Sequence, residues 1–239
     1  ASTPANCFDF AYQASKLTLE HMTPVVLLTD GYIANGSAPW KIKSVKDMPE
    51  IKTNIIHEYQ EGWHPYDRDE YTLARSWAIP GTPGLEHRVG GLEKDRVSGN
   101  VSYVPDNHEY MVKIRAEKIK RVQNTIPELK SEFVDEGELL VIGWGGTFGS
   151  LYSAIKSIRE KGYTSIGLAH FNYINPLPKN TEEVLKRFKK IIVCELNNGQ
   201  FAKVLKLNFN DFEILQFNKI QGLPFGNEEL IQKFKQLLK

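Results

Sequence analysis

Cysteine is scarce in this sequence, and its scarcity excludes one class of metal site. The 239 residues include two cysteines, Cys7 and Cys194. Two thiols cannot supply the four thiolates that an iron–sulfur cluster requires, so another chain would have to hold any such cluster. We expect both cysteines to be free, buried thiols in a reducing compartment.

Long apolar runs and an excess of one charge are also missing. The longest apolar runs, Pro24 to Leu28 and Leu139 to Ile142, have the length of a strand, whereas a membrane span needs about 20 residues. The 30 basic residues nearly balance the 29 acidic ones, whereas nucleic-acid binders show a basic excess. We therefore expect neither a membrane nor a nucleic acid as partner. The first residues show no signal-peptide pattern, which favours a cytoplasmic location.

Motifs typical of common catalytic sites are absent as well. The sequence has no Walker loop and no Gly-x-Ser-x-Gly elbow. Its six histidines show neither the spacing nor the cysteine pairing of a zinc site. We therefore predict no catalytic residue and no metal ligand. The histidines are His21, His57, His64, His87, His108 and His170.

From Leu139 onwards the pattern alternates regularly between strands and helices. Such alternation implies a parallel sheet with helices on both sides. The domain boundary is predicted between residues 127 and 138. The predicted strands are Leu139–Gly143, Ser165–Ala169, Lys190–Cys194 and Glu213–Phe217. Helices are indicated by Leu151, Ala154, Ile155 and Ile158, by Val184, Leu185 and Phe188 behind an Asn180–Thr181 cap, by a start near Gln200, and by Leu230, Ile231, Phe234 and Leu237.

The first thirty residues predict one helix followed by one strand. Thr3-Pro4 is typical of a helix start, and Thr23-Pro24 of a helix end. Phe10, Ala14, Leu17 and His21 would form one face of that helix. The run from Val25 to Thr29 predicts a strand buried on both faces. This is half of a βαβ unit, and with the missing initiator methionine it leads us to expect a fragment of a longer protein.

Residues 33 to 105 show little periodicity and many proline and glycine turn signals. A structureless loop of this length is improbable in a compact domain, so we expect short strands or hairpins, or a segment that wraps over a partner. The aromatic density predicts that much of the segment is buried. A helix should follow, with Asp106 as its N-cap and an apolar face that ends before Pro127. The aromatic residues are Trp40, Trp63, Trp77, Tyr59, Tyr66 and Tyr71, and the helix face is Val112, Ala116, Ile119, Val122 and Ile126.

A glycine-rich loop, Gly143 to Ser150, joins a predicted strand to a predicted helix. Backbone amides at such a junction bind anions, which makes dinucleotide binding one hypothesis. The spacing is Gly-x-Gly-x-x-x-Gly, and the acidic residue expected about 20 residues after the motif is missing. A tight turn with close helix–sheet packing is the favoured alternative, and contact with another phosphate or a partner remains a third.

Two further strand ends could face a ligand. Asp30-Gly31-Tyr32 follows the first predicted strand at the edge where open α/β sheets place ligands. A simple turn made by Asp30 and Gly31 is the favoured alternative. The segment from Glu195 to Gln200 follows a later strand, where it could cap the next helix or face a ligand.

Several segments together resemble the alpha subunits of 2-oxoacid:ferredoxin oxidoreductases. The resemblance covers essentially the whole chain, and the stretch at 87–93 (HRVGGLE) points to the 2-oxoglutarate branch. The matching segments are 22–35 (MTPVVLLTDGYIAN), 78–87 (AIPGTPGLEH), 107–111 with 115–118 in a linking helix, and 143–147, 175–178, 195–197 and 221–225 in the second core domain.

The resemblance implies a fold and a division of the chain. Residues 1–35 would be the end of a thiamine-pyrimidine-binding domain, and residues 36–130 an irregular connecting segment with a linking helix. Residues 131–239 would form a parallel-sheet α/β domain that resembles the transketolase C-terminal domain. The glutamate that contacts the aminopyrimidine in this family would lie before Ala1, so this part is expected to be mainly structural.

The resemblance also implies cofactors and partners for the whole enzyme. These are thiamine diphosphate, Mg²⁺, a [4Fe–4S] cluster and coenzyme A, none of them bound by this chain alone. The beta subunit, ferredoxin and an oligomer of alpha–beta units would be the partners. Asp30, Gly31 and Asn35 are predicted near the thiamine or substrate site, and Gly145, Gly146 and Thr147 as a ligand or interface loop. The alternative is a stand-alone α/β binding or assembly module without catalysis.

Overall fold

The computed structural model describes all residues from 1 to 239, and they form two compact units. The sheet unit consists of Ala1–Phe10, Leu28–Trp40 and Ile126–Lys239. The irregular unit consists of Ala11–Leu27 and Lys41–Thr125.

Seven α-helices and seven strands follow one another along the chain. The helices are α1 Cys7–His21, α2 Gly31–Asn35, α3 Pro105–Arg121, α4 Phe148–Glu160, α5 Thr181–Lys186, α6 Gln200–Asn208 and α7 Asn227–Leu237. The strands are β1 Ile55–Ile56, β2 Trp77–Ala78, β3 Ser131–Glu132, β4 Gly137–Trp144, β5 Ile166–Phe171, β6 Phe188–Glu195 and β7 Ile214–Asn218.

The sheet unit contains a five-stranded sheet in the order β3-β5-β4-β6-β7. Its last four strands are parallel, and β3 pairs antiparallel with β5 at one edge. In the centre, Val141 of β4 lies opposite Leu168 of β5 and Ile192 of β6. The predicted α/β class with a mostly parallel sheet is therefore confirmed, as are its four predicted strands.

Strand β4 is apolar on both faces because helices cover the sheet on both sides. Successive side chains point to opposite faces of a strand. Leu140 and Ile142 join the apolar cluster that α5 and α6 cover, whereas Leu139 and Val141 join the cluster under α4 and α7. All four side chains are fully buried.

The irregular unit is held together by turns rather than by extended sheets. Its two strands, β1 and β2, are two residues long and parallel. Its longest helix is α3, and the buried apolar side chains of the unit include Leu17, Leu85 and Met111. The short strands expected in this region are present.

The prediction of a doubly buried strand at Val25 to Thr29 is wrong. These residues form no strand, and Val26 is 79% exposed. Leu28 is also exposed. The physical reason is that no strand of this chain pairs with the segment, so its strand-forming side chains have no sheet to pack in.

The expected burial of the aromatic residues is also wrong. Three of the six are exposed, and the other three are half-buried. The physical reason is that the segment forms turns and strands of only two residues, so no extended sheet covers these rings. The exposed three are Trp40, Tyr59 and Tyr71, and the half-buried three are Trp63, Tyr66 and Trp77.

Two helix boundaries and one capping contact differ from the predictions. Asp106 lies in the first turn of α3, whose N-cap is Val104. Asn180 occupies the N-cap position of α5 as predicted, but its side chain exchanges two hydrogen bonds with the backbone of Leu129 at 2.8 and 2.9 Å and makes none to the helix. Phe188 begins β6 instead of ending α5.

The predicted apolar face of α3 is only partly buried. Val112 and Ala116 are exposed, Ile119 is half-buried, and Val122 and Ile126 are buried. These last two lie beyond Arg121, the last residue of the helix.

Both cysteines are free thiols, as expected, but only Cys194 is buried. Cys7 is half-buried. Burial raises the pKa of the Cys194 thiol above its usual range. None of the helices combines the length and the apolar character that crossing a membrane would require.

Two leucines of α6 test the packing of the sheet unit. Leu205 is fully buried against the sheet and Leu207 is 85% exposed. We expect Leu205→Ala to lower the free energy of unfolding by about 2–5 kcal/mol, because it leaves a cavity. Leu207→Ala, the matched control on the same helix, should change it by less than about 0.5 kcal/mol. Urea denaturation measures both values, and equal losses would contradict this packing.

Candidate functional site

One polar arrangement in the sheet unit joins Asp30 to the glycine-rich loop. Asp30 accepts a hydrogen bond from the Ile33 amide at 2.9 Å, which caps the first turn of α2. Its other carboxylate oxygen accepts a hydrogen bond from the Gly146 amide at 2.7 Å. One carboxylate therefore fixes two segments that are 116 residues apart in sequence.

Three positions of the loop require glycine, each for a different structural reason. At Gly143 a Cβ atom would clash with Leu151 of α4, so this glycine permits close helix–sheet packing. Gly145 has a φ of +58°, in the left-handed region that favours glycine. At Gly146 a Cβ atom would clash with the carboxylate of Asp30. These contacts support the tight-turn interpretation of the loop.

The loop donates its central amide to the protein itself. A free amide ahead of a helix is what a bound phosphate would use, but the Gly146 amide already donates to Asp30. The Thr147 hydroxyl accepts from the Trp144 amide at 3.1 Å and donates to the Trp144 carbonyl at 2.7 Å. Because the Gly146 amide and the Thr147 hydroxyl are already bonded within the protein, this arrangement does not fit the binding of a dinucleotide or a diphosphate.

His170, at the end of β5, supports the same loop. Its Nε2 atom lies 3.1 Å from the Gly145 carbonyl oxygen, and the Phe148 ring meets the imidazole edge to face at 5.2 Å. Burial lowers the pKa of His170 to about 4, although the Gly145 carbonyl acts in the opposite direction. The imidazole is therefore neutral near pH 7, and its Nε2–H donates to the carbonyl.

Glu195, at the end of β6, is fully buried and has a structural role. Its carboxylate accepts hydrogen bonds from the Phe201 and Ala202 amides at 2.9 and 3.0 Å, in the first turn of α6. It also accepts from the indole nitrogen of Trp144 at 3.1 Å. The Asn197 side chain accepts from the next amides along the chain. Of the two interpretations left open for this segment, helix capping is the one observed.

The two predicted groups of site residues are brought together. The contact is between Asp30 of the first group and Gly146 of the second. Asn35 donates to the Gly31 carbonyl at 2.8 Å and remains exposed with Asp30 and Gly31. Sequence patterns alone did not indicate this contact. They also did not indicate that His170 supports the loop, because His170 belongs to no recognisable motif. Their assignment to a cofactor or an interface remains a prediction.

Metal binding has no support from the arrangement of side chains. No group of three or more His, Cys, Asp or Glu side chains is placed to hold an ion. The residues present therefore do not fit a magnesium ion or an iron–sulfur cluster held by this chain alone.

Comparison with known proteins yields two family matches. Residues 1–103 match the pyruvate flavodoxin/ferredoxin oxidoreductase thiamine diphosphate-binding family, and residues 137–230 match core domain II of pyruvate:ferredoxin oxidoreductase. The 2-oxoglutarate oxidoreductase subunit KorA of Mycobacterium tuberculosis is 46% identical over 205 residues, which cover 85% of this chain and 31% of the relative. The chain belongs to the 2-oxoacid:ferredoxin oxidoreductase family, as an alpha-subunit sequence.

A more distant relative agrees with this assignment, and one solved structure shares the fold. The 2-oxoglutarate synthase subunit KorA of Methanothermobacter marburgensis is 27% identical over 201 residues, which are 83% of this chain and 52% of the relative. The solved 2-oxoglutarate:ferredoxin oxidoreductase of Magnetococcus marinus has the same fold over the whole chain, with a TM-score of 0.90 at 24% identity and 41% of that chain covered. This chain thus spans about a third to a half of the length of the relatives it matches.

The contact between Asp30 and Gly146 predicts an unequal effect of two glycine substitutions. Gly146→Ala should cost about 2 kcal/mol or more of unfolding free energy, because the new Cβ displaces the carboxylate. Gly149, the second residue of α4, has open space at its Cβ position, so Gly149→Ala should be neutral or stabilising by up to about 1 kcal/mol.

A double-mutant cycle tests the cause of the Gly146→Ala effect. In an Asp30→Ala background the same substitution should cost clearly less, because the clashing carboxylate is gone. Denaturant unfolding supplies the four free energies. An unchanged cost would show that another contact explains the glycine.

The lowered pKa of His170 predicts a loss of stability in mild acid. A histidine ordinarily titrates near 6.5, so from pH 6.5 down to about 4 the unfolded chain binds a proton that the folded chain does not. Stability should be complete above pH 6.5 and fall on acidification by on the order of 3 kcal/mol. His170→Gln, which keeps a donor but does not titrate, should remove this part of the slope. Thermal unfolding of both proteins between pH 7.5 and 4 measures how their stability depends on pH. If the two stability curves run parallel, the prediction is wrong.

Proposed function

We propose that this chain forms part of the alpha subunit of a 2-oxoglutarate:ferredoxin oxidoreductase. The observation that supports this best is the 46% identity to the mycobacterial KorA subunit across both parts of the chain. The proposed reaction is the oxidative decarboxylation of 2-oxoglutarate to an acyl-coenzyme A, with electrons passed to ferredoxin.

Within this proposal the chain supplies structure rather than reacting groups. Thiamine diphosphate supplies the carbanion chemistry of such enzymes when it is bound. This chain has no group of three or more His, Cys, Asp or Glu side chains placed to hold an ion, and no set of four cysteines. Mg²⁺, the [4Fe–4S] cluster and most of the thiamine site are therefore assigned to other polypeptide, including a beta subunit.

The residues with a role of their own in this proposal are Asp30 and the loop at Gly145 to Thr147. Asp30 lies in the part of the chain that matches the thiamine diphosphate-binding family, and Gly146 in the part that matches core domain II. Their hydrogen bond, supported by His170, fixes the exposed turn at Asp30, Gly31 and Asn35. We infer that this turn is a positioning element beside the thiamine or substrate site, with no proton transfer of its own.

Reconstitution tests the proposed function. The chain should be produced together with the remaining alpha-subunit polypeptide and a beta subunit, and 2-oxoglutarate-dependent reduction of a viologen dye should require coenzyme A. We expect 2-oxoglutarate to be used in preference to pyruvate, and no activity when this chain is tested alone. The exposed-site variant Leu207→Ala is the control for expression, and it should retain full activity.

Two outcomes would contradict the proposal. Dye reduction by this chain without a partner would show that it contains the reacting groups. Failure to bind a beta subunit in size-exclusion chromatography, with a folded chain, would favour a stand-alone α/β module instead. The complete five-stranded sheet with two apolar clusters is the observation behind that second candidate.

A further inference from the structure

Two arginines lie directly opposite each other across a short hairpin of the irregular unit. Arg68 and Arg75 form an isolated antiparallel bridge, and the Asp69 amide donates to the Ala74 carbonyl at 2.9 Å. Directly opposed residues of an antiparallel pair point to the same side, where like charges destabilise the pair. The hairpin therefore holds two guanidinium groups together at a local cost in free energy.

The Tyr66 ring holds both guanidinium groups in place. The Cζ atom of Arg75 lies 4.2 Å from the ring centroid, and that of Arg68 lies 5.9 Å from it. Such cation–π contacts orient the planar group by its face and leave N–H donors at its edge. Arg75 uses one of these donors on the Pro65 carbonyl at 3.0 Å.

Helix α3 adds a third cation, Lys118, to the same cluster. Its ammonium group donates to the Met22 carbonyl at 2.8 Å. Burial, together with Arg68 and Arg75, lowers the pKa of Lys118 to about 8. None of the three cations forms an ion pair with a carboxylate, whereas nearby Arg115 forms two hydrogen bonds with Glu93 at 3.1 Å.

Arg68 retains donors that the protein does not satisfy. Its Nε atom is buried without a hydrogen-bond partner. Its remaining contacts are long, at 3.5 Å to the Leu73 carbonyl and 3.7 Å to the Met111 sulfur. A buried donor without a partner is costly to the fold, and an oxygen atom of a ligand would satisfy it.

The hairpin itself does not need these charges. Asp69 accepts hydrogen bonds from the Tyr71 and Thr72 amides and forms the turn. Arg121 of α3 donates to the Glu70 and Tyr71 carbonyls and so holds the turn against the helix. These turn hydrogen bonds therefore involve neither the Arg68 nor the Arg75 side chain.

We propose that Arg68, Arg75 and Lys118 form a binding site for a phosphate group. Arginine forks bind phosphate oxygens in pairs, and three cations without carboxylate partners match a dianion better than a single carboxylate. The phosphate could be inorganic or part of a phosphate ester. The site is independent of the proposed function, because it is defined by residues of this chain alone.

Calorimetric titration of the 239-residue chain at low ionic strength tests the site. We expect pyrophosphate and inorganic phosphate to bind with a stoichiometry of one, and binding to weaken as salt is added. Arg68→Gln and Arg75→Gln should each raise the dissociation constant at least tenfold. Lys206→Gln, which removes an exposed positive charge from α6, should leave it unchanged. A nucleoside monophosphate, titrated as a third ligand, distinguishes inorganic phosphate from a phosphate ester as the natural ligand. If it binds more tightly than inorganic phosphate, the site is built for an ester.

Stability measurements keep the test valid if a variant folds poorly. Without phosphate, Arg68→Gln should melt no lower than the original chain, because it relieves the repulsion between like charges. Its melting temperature should also no longer rise when phosphate is added. Arg68→Lys, which keeps the charge but not the fork, should bind with intermediate affinity. Unchanged binding in both Gln variants, no binding at millimolar phosphate, or equal binding of succinate would each overturn the proposal.

Discussion

Burial of β4 on both faces is the constraint on which the sheet unit depends. Its alternate side chains enter two separate apolar clusters, so one strand joins the helices on the two sides of the sheet. Parallel strands require such covering, because their connections run over the sheet faces. The polar ends of β4, β5 and β6 then meet at one edge, and the loop at Gly145, His170 and Glu195 all lie there.

At that edge the polar groups mostly satisfy one another. Glu195 completes the first turn of α6, His170 supports the Gly145 carbonyl, and Asp30 takes the Gly146 amide. Buried polar groups that are fully paired make an arrangement rigid. A rigid edge suits a chain whose relatives are subunits of larger enzymes, since exposed segments such as the turn at Asp30 are then held in one geometry.

The irregular unit follows a different physical principle. Its chain is folded by side chains that bind nearby backbone, such as Asp69 in its turn and Lys94, whose buried ammonium donates to the Gly90 and Leu92 carbonyls. Polar turns of this kind need few apolar contacts and leave aromatic rings exposed. They also allow like charges to lie close together, as at Arg68 and Arg75, which a uniformly packed apolar core would exclude.

The sequence by itself determined the α/β class, the four parallel strands and the family, because apolar periodicity and short motifs are local properties of the chain. It also indicated that the glycine loop is a turn. Only the tertiary structure decided that Asp30 meets Gly146, that the side chain of the N-cap residue Asn180 binds Leu129 instead of the first turn of α5, and that Val25 to Thr29 has no partner strand. Each of these depends on segments far apart in sequence, and no local pattern encodes which distant group will complete a hydrogen bond or a sheet.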